Sequence, residues 1–267
     1  MKEKIAVQLF TLRDYTKTEK DFAESLEKIS QIGYKAVQLS AVGCMNGPDP
    51  EVSAEQARKL LDDNGLACIA THRSWDALQN QLEAEIAFHQ TLGCTYAAIG
   101  GIPAKTYEAS YDGYRRWLDD ARTVITGLKA AGIRFGHHNH AKEFYRPERH
   151  GPTLEDILID EGNDDLMLEL DLYWIAHAGV NPQRILERCQ GRVPVIHLKD
   201  KEAQADTNDC RIAPIGEGGM DWPHILRTCE EAGVDWYAIE QDQCYRDPFD
   251  CLRSSYAYFE NVKLADR

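Results

Sequence analysis

The stretch FGHHNHAKEF, residues 135–144, sets His137, His138 and His140 within four positions directly after an apolar approach. Imidazoles at that density either hold a divalent cation or decorate a polar turn. Three later segments raise the same question: LELD ends in Asp171, VIHLKD carries His197 and Lys199, and YAIEQD carries Glu240. A lone His or Asp at the end of an apolar run is more often a cap or a hydrogen-bonded turn residue. Two imidazoles and two carboxylates at equivalent places form a mixed N/O donor set suited to Mn²⁺, Co²⁺, Fe²⁺ or Zn²⁺ rather than Ca²⁺. Without a cation, four such groups crowded together would be costly to bury.

What must position them is an alternating pattern that runs along the whole chain. Short apolar runs occur at 5–10, 36–40, 66–72, 96–101, 133–138, 166–171, 193–198 and 236–241, each reading as a strand. Amphipathic segments such as EKDFAESLEKISQIG and YRRWLDDARTVITGLKAAG separate them. Gly33, Gly65, Gly93, Gly132 and Gly233 fall just before the next run, where a helix ends most cheaply in glycine. Eight such units in 267 residues predict a single (β/α)8 TIM barrel spanning residues 1–267. An open doubly wound sheet is the alternative, disfavoured because no GxGxxG follows the first strand. The segment DPFDCLRSSYAYFENVKL reads as the last helix.

In a barrel, alternate strand residues face the interior, and the last of them reach the carboxyl-terminal mouth. Apolar residues on the helix side then turn His138, Glu169 with Asp171, His197 with Lys199, and Glu240 inward. His138, Asp171, His197 and Glu240 are therefore the expected ligands of one divalent metal ion. His137 falls on the wrong face, while His140 is the alternative ligand to His138 and otherwise belongs to the substrate pocket. Gln8, Gln38 and His72 share the inward parity and suit a polyhydroxylated ligand. Glu143, just beyond the histidines, either overhangs the site or is an exposed loop residue.

Composition excludes several classes. The formal net charge is −14 and no run of Lys and Arg appears, which argues against a nucleic-acid surface and an anionic membrane. No stretch approaches eighteen apolar residues and the first segment lacks signal-peptide architecture, so a cytoplasmic protein is expected. The eight cysteines form no CxxC pair and read as reduced thiols. A homo-oligomer is left open.

The chain resembles the sugar phosphate isomerase/epimerase family of the xylose-isomerase-like TIM barrels, related to ketose 3-epimerases and inosose dehydratases. The blocks VQLFTLRD, HHNHAKEF, LELDLYW, VIHLKDK, PIGEGGMDW and WYAIEQD carry the likeness, in order, from residue 7 to 242. The resemblance implies a metal held at the ends of the last four strands, with Asp171, His197 and Glu240 matching three family ligands. The first family ligand is a glutamate in ketose 3-epimerases and falls here on His138. Trp174 stands where those epimerases carry a histidine, and KDKEAQ stands where they carry an arginine. Trp174 and Lys199 are then expected beside the substrate. The HLKD block is closer to inosose dehydratases. The implied chemistry is removal of a proton next to a carbonyl through a metal-stabilised enediolate, on a small sugar or keto-sugar. Glu240 is the expected base, and Glu143, His140 or Lys199 the expected acid. Isomerisation or epimerisation is the first reading; a lyase or hydrolase on a keto-sugar, keto-glycoside or keto-inositol is the alternative, and a sugar-binding barrel without turnover the non-enzymatic one.

Overall fold

The computed structural model describes residues 2–207 and 209–264. Strands β1 (Ile5–Gln8), β2 (Ala36–Leu39), β3 (Ala67–His72), β4 (Tyr96–Ile99), β5 (Arg134–His138), β6 (Leu166–Glu169) and β7 (Val195–Leu198) follow one another round a barrel. A hairpin of β8 (Asp200–Ala203) and β9 (Cys210–Ala213) then precedes the last barrel strand, β10 (Trp236–Ile239). Neighbouring barrel strands pair in parallel, and β10 lies between β1 and β7. The seam between β6 and β7 is thin. It is held where the Leu168 N–H donates to the Arg192 carbonyl and the His197 N–H to the Leu170 carbonyl, both at 2.8 Å.

The surrounding helices are α1 (Glu19–Ile32), α2 (Ala54–Asp63), α3 (Trp75–Asn80), α4 (Leu82–Leu92), α5 (Tyr111–Ala130), α6 (Leu154–Glu161), α7 (Leu172–His177), α8 (Pro182–Arg188), α9 (Trp222–Glu231) and α10 (Pro248–Asn261). Their apolar faces meet the outward strand residues, among them Val7, Val37, Phe135, Leu168, Ile196 and Ile239, in one continuous core. Helix α5 shows how the sequence does this. Ser110 caps its start by accepting the Gly113 N–H at 3.1 Å, and Trp117, Ala121, Val124, Ile125 and Leu128 recur at helical spacing on the buried side. The expected terminal glycines at 33, 65, 93, 132 and 233 all adopt positive φ.

The barrel interior is built differently, from Ala6, Ala36, Ala70, Ala98 and Ala238 with Tyr96, Met167 and Val195. Gly136 is required here, because the Tyr96 hydroxyl fills the space its Cβ would take. Above this small-residue layer the inward positions turn polar. The alternation expected from sequence therefore holds in the last four barrel strands, with apolar side chains against the helices and ionisable ones inside.

The PIGEGGMDW segment also has a structural reason. Buried Asp200 accepts the N–H groups of Gly216 (2.9 Å), Gly218 (3.1 Å) and Met220 (3.2 Å), together with the Trp222 indole N–H (2.6 Å). The anion at the centre of this glycine-rich turn is thus the protein's own carboxylate, and a Cβ at Gly218 would collide with it.

Candidate active site

At the carboxyl-terminal ends of the strands lies a cavity of about 220 Å³ whose lining includes Gln8, His72, His138, His140, Lys199 and Glu240. Its floor is a cluster of ionisable groups in two tiers. In the upper tier, donor atoms of Asp171, His197 and Glu240 all lie within 4.8 Å of one another. In the lower tier, His72, His138 and His197 converge on Glu169 within the same limit. His197 belongs to both.

Local structure explains each position. Asp171 follows β6 and is the N-cap of α7: its Oδ1 accepts the Trp174 N–H at 3.0 Å, and its own N–H donates to Asn139 Oδ1 at 2.9 Å. Its Oδ2 takes no part in the cap and meets a lysine instead. The ammonium of Lys199 lies 2.9 Å from that Oδ2, 2.9 Å from Glu240 Oε2 and 2.7 Å from Asp242 Oδ2, although the residue is only 1% exposed. His197 places Nδ1 2.8 Å from Glu240 Oε2 and Nε2 2.8 Å from Gln38 Oε1. Gln38 in turn donates to Glu169 Oε1 at 2.9 Å, while His72 Nε2 contacts Glu169 Oε2 closely.

Burial and charge work against each other throughout this cluster. Burial raises the Glu240 carboxyl, but Lys199 and His197 outweigh it and hold the group well below its usual range. Glu169 is likewise held low against burial by His72 and His197. Burial would depress His197, yet Glu169 and Glu240 on its two sides bring it up to about 10. Asp171 goes the other way: burial, only partly opposed by Lys199 and His197, pushes it up to about 6. His138 is pushed well below its ordinary value, by burial first and then by the charge of His197. Burial and then Lys199 bring His140 down to about 4.

The donor set fits a divalent cation of the Mn²⁺ to Zn²⁺ series. Asp171 Oδ2 and Glu240 Oε2, each 2.9 Å from the Lys199 ammonium, are already gathered round a positive charge, with His197 Nδ1 beside Glu240. Two groups could hold such an ion: Asp171, His197 and Glu240, or His72, His138, Glu169 and His197; the expected ligand His138 falls in the second, its Nε2 3.9 Å from Asp171 Oδ2.

Of the residues singled out in sequence, Gln8, His72, His138, His140, Lys199 and Glu240 line the cavity, and Asp171 and His197 lie in the cluster beneath it. Gln38 is fully buried and braces His197 from below, away from the cavity lining. Trp174 stands beside the cavity, its ring 5.8 Å from that of His140 and 5.7 Å from the Lys199 ammonium. Glu143 is corrected in both of its expected settings: it is neither exposed nor aimed at the cavity. It is fully buried, accepting the His140 N–H at 2.8 Å and facing the Tyr114 hydroxyl at 3.4 Å, so its carboxylate closes the short turn after β5. His137 packs against Trp117 on the helix side, ring centroids 5.8 Å apart. The residue without an expected role is Glu169. Parity alone turned it inward, and an inward carboxylate one layer below Asp171 needs partners.

Eight parallel strands define a TIM barrel, and its polar cluster lies at the carboxyl-terminal mouth, where such barrels usually carry their chemistry. The chain belongs to the xylose isomerase-like TIM barrel family, whose model matches residues 26–255. It is similar in structure to a sugar phosphate isomerase/epimerase from Parabacteroides distasonis, with 21% identity, a TM-score of 0.79, and coverage of 97% of this chain and 94% of that one. It is also similar to L-ribulose 3-epimerase, at 16% identity and TM-score 0.70 over 96% and 93% of the two chains. A third likeness is to the probable 3-DHS dehydratase AsbF of Bacillus anthracis, at 13% identity and TM-score 0.72 over 97% and 99%. No curated protein matches the sequence.

Proposed function

We propose that the chain is a divalent-metal-dependent isomerase or epimerase of a small sugar or keto-sugar, working by proton transfer at the carbon next to a carbonyl. The observation that carries this reading is the convergence of Asp171, His197 and Glu240 beneath a polar cavity. Asp171, His197 and Glu240 would hold a divalent ion, which would supply Lewis acidity to a carbonyl bound in the cavity.

The chain's own residues do the rest. Glu240 is the base, since Lys199 and His197 keep it ionised at the cavity floor. Gln8 and His72 face the same space and can orient hydroxyl groups. With Glu143 turned away, proton return falls to His140 or Lys199. Lys199 is preferred, because its ammonium carries a proton 2.9 Å from Glu240 Oε2, while His140, brought down to about 4, is neutral near pH 7. Trp174 covers the His140 side and helps exclude water.

Loss of a β-oxygen is the second reading, and one feature favours it. The cavity adjoins a groove of about 360 Å³, walled by Phe10, Tyr173, Trp174 and Tyr245, with Phe10 and Asp242 common to both. That groove has room for a group attached to the sugar, and the buried Lys199 ammonium beside Asp242 can supply a proton to a departing oxygen. The structural neighbours include a sugar phosphate isomerase/epimerase, an epimerase and a probable dehydratase, which is compatible with either outcome.

The test is metal content of protein purified without chelator, followed by incubation with a panel of keto-sugars in deuterium oxide. About one ion per chain and deuterium in the recovered sugar or its isomer support the first reading. Release of water or of an attached group supports the second. Absence of bound metal after loading with Mn²⁺, Co²⁺ and Zn²⁺ refutes both.

A further inference from the structure

The lower tier of the cluster has a polarity that runs in one direction. Ionised Glu169 can only accept hydrogen bonds. Its Oε1 takes the Gln38 amide N–H at 2.9 Å, and its Oε2 faces His197 Nε2 at 3.2 Å and His138 Nδ1 at 3.4 Å besides the close contact with His72. Because the Gln38 amide nitrogen is committed to a carboxylate, its carbonyl oxygen must point the other way. That oxygen lies 2.8 Å from His197 Nε2. A carbonyl accepts, so this nitrogen carries the hydrogen. Turning Gln38 over would set its carbonyl against the Glu169 carboxylate, two acceptors in a fully buried place, and its NH₂ against a ring N–H.

The other nitrogen of the ring, Nδ1, faces Glu240 at 2.8 Å in the upper tier. We infer that Glu169 and Gln38 are positioning residues: through the direct Glu169 contact and one amide of fixed direction they keep a hydrogen on His197 Nε2, so that a divalent cation displaces the hydrogen that Nδ1 shares with Glu240. The inference rests on the metal site of the proposed function and adds to it the residues that choose the ligating nitrogen. Histidine ligands commonly donate their second N–H to a carboxylate or carbonyl that orients the ring. Here the carboxylate acts both directly, 3.2 Å from His197 Nε2, and through an intervening amide, and Glu169 also faces two further imidazoles.

The test uses whole protein labelled with ¹⁵N-histidine and titrated with Zn²⁺. Wild type should coordinate Zn²⁺ through His197 Nδ1 and retain a slowly exchanging Nε2–H. In Glu169→Gln either end of Gln38 can face His197, and Zn²⁺ affinity should fall about 10- to 100-fold. The double variant Gln38→Glu/Glu169→Gln restores an acceptor for the His197 N–H and an NH₂ donor for residue 38, at unchanged net charge. It should recover most of the lost affinity, which a merely structural role for Glu169 would not produce. Ligation through Nε2, a second Zn²⁺ held by His72, His138, Glu169 and His197, or wild-type affinity in Glu169→Gln overturns the inference. Failure of wild type to bind any divalent ion removes the proposed function instead. In that event the metal-free protein still decides about the amide: a protected His197 Nε2–H lost in Glu169→Gln upholds its direction, and no such resonance in wild type refutes it.

Discussion

Replacing Lys199 by methionine keeps most of the side-chain length and removes its charge. The ammonium lies 2.9, 2.9 and 2.7 Å from carboxylate oxygens of Asp171, Glu240 and Asp242, and the residue is almost wholly buried. Removing one partner of a buried ion pair typically costs about 3–5 kcal/mol, because the remaining charge is left uncompensated. For a chain of this size that loss corresponds to a drop in Tm of roughly 6–20 °C. Asp171, already pushed up to about 6 by burial, can take up a proton and blunt the loss near that pH. The comparison therefore belongs at pH 8. A divalent ion bound to Asp171 and Glu240 restores the missing positive charge, whereas in wild type it must first displace the ammonium. Scanning calorimetry in chelator and then in excess Mn²⁺ or Zn²⁺ should show a large deficit for Lys199→Met without metal. It should also show a larger metal-induced gain in the variant than in wild type. A chelated variant that unfolds with wild type, or one stabilised no more than wild type by metal, refutes the idea that Lys199 stands in for the cation.

Three further outcomes follow from the same geometry. Glu240→Gln should slow deuterium exchange into a turned-over sugar by about 10²- to 10⁴-fold, the usual contribution of a general base, and unchanged exchange would remove Glu240 from that role. Gly136→Ala places a methyl group against the Tyr96 hydroxyl and should cost about 1–3 kcal/mol by overpacking, seen as a lower denaturation midpoint; an unchanged midpoint would show that Tyr96 can move. Glu155 is buried with neither oxygen hydrogen-bonded, and burial, reinforced by Glu143, pushes it from 4.5 up to about 8. A carboxyl raised by folding contributes stability below its unfolded value and loses it as pH climbs towards its folded one. Glu155→Gln should thus gain roughly 3–5 kcal/mol over wild type at pH 8 but little at pH 4, and equal differences at both pH values would refute the shift.

Much of this architecture can be read from the chain because barrel geometry is periodic. Strand side chains alternate, so an apolar Leu168, Leu170, Ile196 or Ile239 on the helix side forces its neighbours Glu169, Asp171, His197 and Glu240 inward whatever the loops do. Glycine at helix ends and the eight repeats are equally local signals. Glu143 shows where this kind of reasoning stops. It lies beyond β5, where no strand period applies, and its direction follows from a turn in which it caps the His140 N–H. Gln38 has the expected parity but sits one layer too deep to meet a ligand, a matter of how far along its strand the mouth begins.

The positions of strands and helices, the side each strand residue faces and the candidate donors on those strands are consequences of short-range stereochemistry, legible in the residue types along the chain. Which donors meet, and through which atoms, depends on contacts between residues far apart in sequence. Gln38 to Glu169 spans 131 positions, His197 to Gln38 spans 159, and Lys199 to Asp242 spans 43. Such pairings exist only once the barrel has closed and set the height of each strand against its neighbours. Closure also buries these charges together, and that burial leaves Lys199, Glu169 and Gln38 as the residues that balance them.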